Sequence, residues 1–211
     1  MRIPINNIVS FILLQSSKYN IDESHSLNHA LSVLNYSKYI FNEEVIKYPF
    51  LKNQKHIIYT SALIHDTCDS KYSNEEDSIN NIKTFLSNNK YTNSDQDAII
   101  KIITEMSYHK IKKKGFPELT DYENAFHIVR EADLLAAYEF NRAVLYGVYK
   151  LNLDYTESFS RSKELYFNRM DKQLSDNLFL TIYGKKYANQ LNEMEKKNIN
   201  IIDDFVKNDT C

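Results

Sequence analysis

The feature that most constrains the fold of this chain is its scarcity of glycine and proline, each of which occurs three times in 211 residues. Tight β-hairpins depend on glycine, most often within Asn-Gly or Asp-Gly, and neither dipeptide occurs in the sequence. Helix interiors, in contrast, are the places where glycine and proline are most costly. The composition therefore predicts an all-α fold.

Apolar residues recur at helical spacing through most of the chain, which predicts a series of helices. Cap-type residues and Pro49 mark several of their boundaries. The expected helices cover about 6–16, 22–48 and 53–66, begin at 73 or 74 and at 93, and then cover about 121–151, 155–174 and 182–206. The lysine run 110–114 predicts a solvated loop. Because no internal repeat or Ser/Gly linker interrupts the pattern, we expect a single domain over 1–211.

Charge and cysteine content exclude several classes of protein. The net charge of -2 gives no reason to expect attraction to nucleic acid or to a membrane. The apolar stretch 8–14 is too short for a secretory signal or a membrane span. Cys68 and Cys211 cannot form a disulfide framework, which suits a reducing compartment. We therefore expect a cytoplasmic protein, a monomer or homodimer, that binds a small molecule.

Residues suited to metal binding lie at the edges of apolar helical segments. The pair His65-Asp66 follows an apolar turn, and Asp133 interrupts another apolar stretch. His25 and His29 are spaced i, i+4 and so share one helix face. Imidazole nitrogens and carboxylate oxygens suit divalent ions, and a cation offsets the cost of burying a carboxylate. A metal site and a set of hydrogen-bonded core residues both fit this pattern.

Five short segments also match, in order, the motifs of a known family. Residues 22–33 resemble Asp-x-Ser-His-Asp-x-x-His-x-x-Arg-Val, 62–71 resemble Ala-x-Leu-His-Asp-x-x-Asp-x-Lys, 106–109 resemble Ile-Ser-Tyr-Ser, 131–137 resemble Asp-Ala-Asp-x-Leu-x-Ala, and 181–188 resemble Thr-x-x-Gly-Lys-x-x-Ala. The chain thereby resembles the HD superfamily of metal-dependent phosphohydrolases, in particular its small bacterial-type nucleotide pyrophosphohydrolases. This implies an HD-type helical bundle with a metal-site core at about 22–140 and C-terminal helices at about 155–206 packed on it.

The resemblance implies roles for individual residues as well. The residues that match the family's metal ligands are His29, His65, Asp66 and Asp133. They would hold one divalent ion, Mn, Fe, Co, Ni or Mg, and a second ion is left open. The residues expected around this ion are His25 and Asp69 as catalytic groups, and Lys71, Arg130 and His109 as substrate-binding groups.

Several of these residues have a structural alternative. His25 either takes part in catalysis or fixes a neighbouring metal ligand. His109 either reaches the pocket or is a partly exposed histidine at a helix end. His56 and His127 are expected at the surface or in an interface, and Cys68 is expected to be a small loop residue.

The expected reaction is metal-dependent hydrolysis of a nucleotide or related phosphate ester, for example of a nucleoside triphosphate to monophosphate and pyrophosphate. A hydrolase of alarmones such as ppGpp is an alternative, although Asp69 and Ser70 depart from its His-Asp-Thr-x-Glu-Asp pattern. A non-catalytic metal- or nucleotide-binding module is another. Ser26 and Ser32, which stand where the family usually has Asp and Arg, leave that reading open.

Overall fold

Ten helices make up the computed structural model over the residues that it describes, 2–69, 71–72 and 74–208, and no strand occurs among these residues. The helices are α1 Ile5–Tyr19, α2 Leu27–Lys47, α3 Leu51–Ile64, α4 Glu75–Asn88, α5 Asn93–Glu105, α6 Tyr108–Lys114, α7 Glu123–Ala136, α8 Phe140–Leu151, α9 Tyr155–Ser175 and α10 Ile182–Asn208. The predicted all-α, single-domain bundle is confirmed. None of the described helices has both the length and the apolar character needed to cross a membrane. Ser73 and Cys211 lie outside the described residues.

Helices α2, α3 and α7 pack against one another at the centre of the bundle. Each contributes apolar side chains that are fully removed from solvent, such as Val33, Ile58 and Phe126. Burial of a side chain of this size stabilises the fold by about 1.5–3 kcal/mol relative to exposure. The same three helices lead to the candidate metal ligands, so the best-packed part of the bundle positions them.

Side-chain caps define where several helices begin. Asn74 accepts two backbone N–H groups at the start of α4, and Thr92 and Asp95 form a capping box at the start of α5. Asp154 accepts the N–H of Glu157 at the start of α9. These caps satisfy N–H groups that have no partner within the first helical turn. The predicted starts near 74, 93 and 155 are confirmed.

The helix predicted over 121–151 is in fact two helices, α7 and α8, separated by a turn at 137–139. The sequence does not mark this turn, because it contains neither glycine nor proline. The N–H of Phe140, the first residue of α8, donates to Glu195 Oε1 on α10 at 3.1 Å. A carboxylate from a distant part of the chain therefore satisfies the start of α8, which local spacing could not reveal.

The lysine run 110–114, predicted as a loop, belongs to the short helix α6. Ser107 Oγ accepts the N–H of Lys110 at 3.3 Å and caps its start. Gly115, with a φ of 78°, ends it, and glycine adopts such a positive φ at little cost. The run is helical because it has both a cap and a stop, while Lys112, Lys113 and Lys114 still point to solvent.

A buried ion pair on α7 fixes the segment that precedes α10. Arg130 and Glu131 pair at 2.9 Å with side chains that are 1% and 0% exposed. Glu131 also accepts the N–H of Leu180 and both the N–H and the hydroxyl of Thr181. A Cβ at Gly184 would lie 2.3 Å from Glu131 Oε2, so only glycine fits there. We call Arg130, Glu131 and Thr181 the α7 clamp, because they join the C-terminal helices to the core.

His127 is buried beside this clamp, so its expected position at the surface or an interface is wrong. Its ring lies between Phe116 and Phe126, at centroid distances of 5.0 and 5.3 Å, and its Nδ1 accepts from Arg130 Nη2 at 3.3 Å. Burial, with the nearby Arg130 charge, lowers the pKa of His127 to about 4. Phe116, which covers the ring, comes from the chain break before α7, so no helical pattern could have placed it there.

Candidate metal centre

The three central helices bring four predicted ligands together at their ends. His29 lies in the first turn of α2 and Asp133 in the last turn of α7. His65 and Asp66 follow α3 directly, in a 3-10 turn at His65–Cys68. Within this turn Thr67 Oγ1 donates to the carbonyl of residue 64 at 2.7 Å, which satisfies one of the carbonyls that a helix end leaves without a partner. The local bond thus holds the pair at the point where α3 stops.

The side chains of these residues converge on one point. His29 Nε2 lies 3.1 Å from His65 Nε2 and 3.2 Å from Asp133 Oδ1, and His65 Nε2 lies 3.6 Å from the same oxygen. Ligand atoms of His29, His65 and Asp133 all fall within 4.8 Å of one another. Asp66 approaches with both oxygens, Oδ2 at 3.4 Å from His29 Nε2 and Oδ1 at 3.3 Å from His65 Nε2.

The donor atoms of this cluster suit a metal ion. His65 Nδ1 lies 2.9 Å from the carbonyl of Ala62, which can only accept, so this nitrogen carries a proton and Nε2 is the ring nitrogen that can act as a ligand. Asp66 Oδ2 is buried and makes no hydrogen bond. Two imidazole nitrogens with carboxylate oxygens form a donor set for divalent transition ions. The group His29, His65 and Asp133 can therefore hold a metal ion.

The electrostatics of the cluster favour a cation. Burial would raise the pKa values of Asp66 and Asp133, but the two imidazoles more than offset this and lower both. Burial lowers the pKa of His29 to about 4; it acts in the same direction on His65, where Asp66 and Asp133 outweigh it and raise the pKa to about 9. The Nε2 atoms of the two rings lie 3.1 Å apart, and both carboxylates lie within 3.4 Å of at least one of them. A metal ion bound between these groups would add positive charge beside the two carboxylates.

His25 stands next to the cluster and has its own hydrogen-bonding partners. Its ring centroid lies 6.4 Å from that of His29. Its Nδ1 lies 2.6 Å from Ser24 Oγ and 3.0 Å from the Tyr72 hydroxyl, which itself donates to Asp22 Oδ2 at 2.6 Å. Burial would raise the pKa of Asp22, but hydrogen bonds from these neighbours lower it overall. Asp22 and Tyr72 support His25, and sequence reasoning selected neither as a site residue: Asp22 is the first position of the motif at 22–33, where it indicates only a helix start, and Tyr72 lies in a loop outside any motif.

The other predicted site residues divide into two groups. Asp69, Lys71 and His109 line the cavity that contains the cluster. Lys71 Nζ pairs with Asp69 Oδ2 at 3.2 Å, and its side chain is 58% exposed. Arg130 is not at the cavity: it is 1% exposed and donates to Glu131 and to the carbonyl of Leu178 at 2.6 Å. The substrate-binding role expected for Arg130 does not fit this burial, and its place is in the α7 clamp.

The cavity has a volume of about 720 Å³ and extends from the cluster to α8 and α9. Three arginines that sequence reasoning did not select also line it, Arg142 on α8 and Arg161 and Arg169 on α9. Arg142 Nε donates to the carbonyl of Ser24 at 2.7 Å, which ties α8 to the segment before α2. No sequence motif contains these residues, and only the packing of α8 and α9 places them at the cavity.

Ser32, which stands where the family motif usually has Arg, has a partner of its own. Its Oγ donates to Glu139 Oε1 in the turn between α7 and α8. A hydrogen bond from the serine to this carboxylate therefore joins α2 to the turn after Asp133. Ser26 is buried at the residue before α2.

Comparison with protein-family models, with curated proteins and with solved structures finds no match to this chain. Two facts about the molecule are therefore left to support a function: its all-α fold and a buried His/Asp group at the floor of a cavity. A fold by itself hosts many activities. The donor set and the charges around it carry the chemical information.

Proposed function

We propose that this chain is a metal-dependent phosphohydrolase of the HD type, acting on a nucleotide or a related phosphoanhydride or phosphoester. The observation that carries this proposal is the convergence of His29, His65 and Asp133 on one point at a cavity that is also lined by lysine and arginine side chains. A donor set of this kind suits a divalent ion, and cations suit a phosphate. A nucleoside triphosphate cleaved to monophosphate and pyrophosphate is the first substrate to test.

Asp66 completes the proposed ligand set. Both of its oxygens lie within 3.4 Å of an imidazole nitrogen of the cluster. The side chains of Asp66 and Asp133 are 20% and 32% exposed, whereas those of His29 and His65 are 1% and 4% exposed. The imidazoles would anchor the ion from the protein side and the carboxylates would face the cavity. A divalent ion there supplies a Lewis acid for the phosphoryl oxygen and lowers the pKa of a water molecule.

His25 is the proposed proton carrier. It lines the cavity, and Ser24 and Tyr72 engage its Nδ1. Nε2 is then the ring nitrogen left to exchange a proton with water or substrate. The ionised Asp22, hydrogen-bonded to Tyr72, fixes the orientation of this pair.

Asp69, Lys71 and Arg142 are proposed to orient the reacting phosphate. Asp69 and Lys71 form an ion pair at the rim of the cavity. Arg142 is anchored through Nε at the Ser24 carbonyl, which leaves its other donors for a phosphate oxygen. Since Lys71 is largely exposed, we assign it a smaller share of binding than Arg142.

The test is a panel of nucleoside triphosphates, ppGpp and cyclic dinucleotides, each incubated with Mn, Mg, Co or Ni. We expect release of pyrophosphate from triphosphates by the wild-type chain and its loss in Asp66→Ala. Asp95→Ala is the matched control, because Asp95 lies at the start of α5, away from the cavity, and pairs with His56 of α3 at 3.1 Å.

Three outcomes of this test distinguish a phosphohydrolase from a non-catalytic metal-binding module and from a chain that binds no metal. Turnover lost in Asp66→Ala and kept in Asp95→Ala supports the proposal. Stoichiometric metal binding without turnover of any substrate refutes it in favour of a non-catalytic module. If purified protein holds no metal and none can be added, the metal centre itself is refuted.

A further inference from the structure

The cavity is lined by groups of opposite charge. The carboxylates of Asp66 and Asp133 line it together with the imidazole of His65, and α9 contributes Arg161 and Arg169. A ligand that contacts these two arginines must be anionic where it meets α9.

Among the cationic side chains that line the cavity, Arg161 and Arg169 are exposed and have no ion-pair partner among the described residues. Lys71 and Lys110 are paired with carboxylates at 3.2 and 3.7 Å. The guanidinium groups of Arg161 and Arg169 therefore keep their full set of N–H donors available.

The two arginines share one face of α9. Arg161, Leu165 and Arg169 follow each other at intervals of four residues, and all three line the cavity. Positions spaced in this way lie above one another on a helix. Eight residues of helix correspond to about 12 Å along the axis, so the two side chains bracket a stretch of the wall. Tyr166 and Met170, on the adjoining face, add apolar lining between and below them.

We propose that Arg161 and Arg169 form a subsite for the phosphates that do not react, so that the substrate carries two or more linked phosphate groups. The guanidinium fork matches the geometry of phosphate oxygens and binds them in bidentate fashion. This subsite rests on the proposed function, since it assumes that the reacting phosphate lies at the metal centre. It selects nucleoside di- or triphosphates over monophosphate esters, which have no second phosphate to reach α9.

The test measures binding without turnover, using inorganic tripolyphosphate and orthophosphate as probes and the full chain with its metal removed. Calorimetric titration of wild type is expected to show tighter binding of tripolyphosphate than of orthophosphate. Because each guanidinium would make charge-assisted hydrogen bonds to phosphate, loss of one arginine in Arg161→Gln or Arg169→Gln should weaken tripolyphosphate binding about tenfold, which corresponds to about 1.4 kcal/mol. Lys172→Gln is the matched control, because it removes one exposed charge from the same helix outside the cavity.

Each result bears on the subsite by itself. The subsite is overturned if wild type binds the two probes equally, or if the double variant Arg161→Gln/Arg169→Gln binds tripolyphosphate as tightly as wild type. An equal loss of binding in Lys172→Gln would also overturn it, because general electrostatic attraction to α9 would then account for binding. Arg161→Lys and Arg169→Lys keep the positive charge and lose the planar guanidinium fork, so an intermediate affinity supports bidentate contact.

If arginine-dependent binding is found and no substrate turns over, the proposed reaction fails and the subsite stands. If triphosphates turn over with the same KM in wild type and double variant, the subsite fails alone.

Discussion

Helix α7 carries two clusters of buried polar residues that neutralise their charge in opposite ways. In the α7 clamp, the carboxylate of Glu131 is 0% exposed and is satisfied by Arg130 and Thr181. At the candidate metal centre, the ion-pair partners of Asp66 and Asp133 among the described residues are the imidazoles of His29 and His65. The clamp therefore contains a permanent cation, Arg130, whereas within the part of the chain that the structure describes no arginine or lysine pairs with the carboxylates of the metal centre.

This difference separates a structural role from a ligand-binding role. Removing one partner from a buried ion pair leaves an uncompensated charge, which is strongly destabilising. A cluster that lacks a fixed cation can accept one from solution, provided that the cation can reach it. The side chain of Asp133 is 32% exposed and lines the cavity, so the candidate metal centre is accessible from solvent, whereas the α7 clamp is buried. The contrast can be tested with isosteric changes at two positions of the same helix.

The largest expected effect is on activity, from Asp133→Asn. Losing the negative charge of a ligand should reduce turnover of the best substrate at least about a thousandfold, while the urea midpoint stays close to that of wild type. Glu131→Gln, two residues away, is the control and should keep most of its turnover per folded molecule. An equal loss of activity in Asp133→Asn and Glu131→Gln would contradict the assignment of one cluster to ligand binding and the other to structure.

The next effect is on stability, from Glu131→Ala. Leaving Arg130 buried without its carboxylate should lower the free energy of unfolding by about 3–5 kcal/mol, measured by urea denaturation with chelator present. Asp133→Asn should lower the free energy of unfolding far less, because this substitution leaves no buried arginine or lysine without its ion-pair partner. A larger loss at Asp133 than at Glu131 would contradict the assignment of the clamp as the structural cluster.

Metal addition should stabilise the chain through one cluster only. At a free Mn concentration of a hundred times its Kd, binding adds about 2.7 kcal/mol to the free energy of unfolding. We expect a matching rise in Tm for wild type and for Glu131→Gln. The rise should be absent in Asp133→Asn, and a rise that survives this substitution would place the metal elsewhere.

The smallest predicted effect is on the pH dependence of stability, and it comes from His127, which is buried beside the α7 clamp. Burial lowers the pKa of His127 from 6.5 to about 4, so between these values the unfolded chain binds a proton that the folded chain does not. The free energy of unfolding must then fall as the pH drops from about 6.5 to about 4. His127→Gln should reduce this fall by about 2 kcal/mol, less than the full shift because the side chain is not completely buried. Denaturation of the metal-free chain at several pH values measures it, and an unchanged slope in the variant would contradict the assignment.

The sequence by itself determined the fold class and the set of candidate ligands. Scarce glycine and proline predicted helices, and the caps near 74, 93 and 155 gave their starts. The order of His29, His65-Asp66 and Asp133 predicted a cluster whose distances the structure supplies. These features were readable because helical periodicity and capping act over a few residues.

Only the tertiary structure decided which charged residues face the cavity. Arg130 looked like a phosphate ligand beside Asp133, yet packing of the segment before α10 turns it into a buried clamp. Sequence analysis assigned no role to Arg161 and Arg169, yet packing of α9 places them on the cavity wall. Spacing along a helix fixes which residues share a face, whereas the direction of that face depends on contacts between residues far apart in the chain.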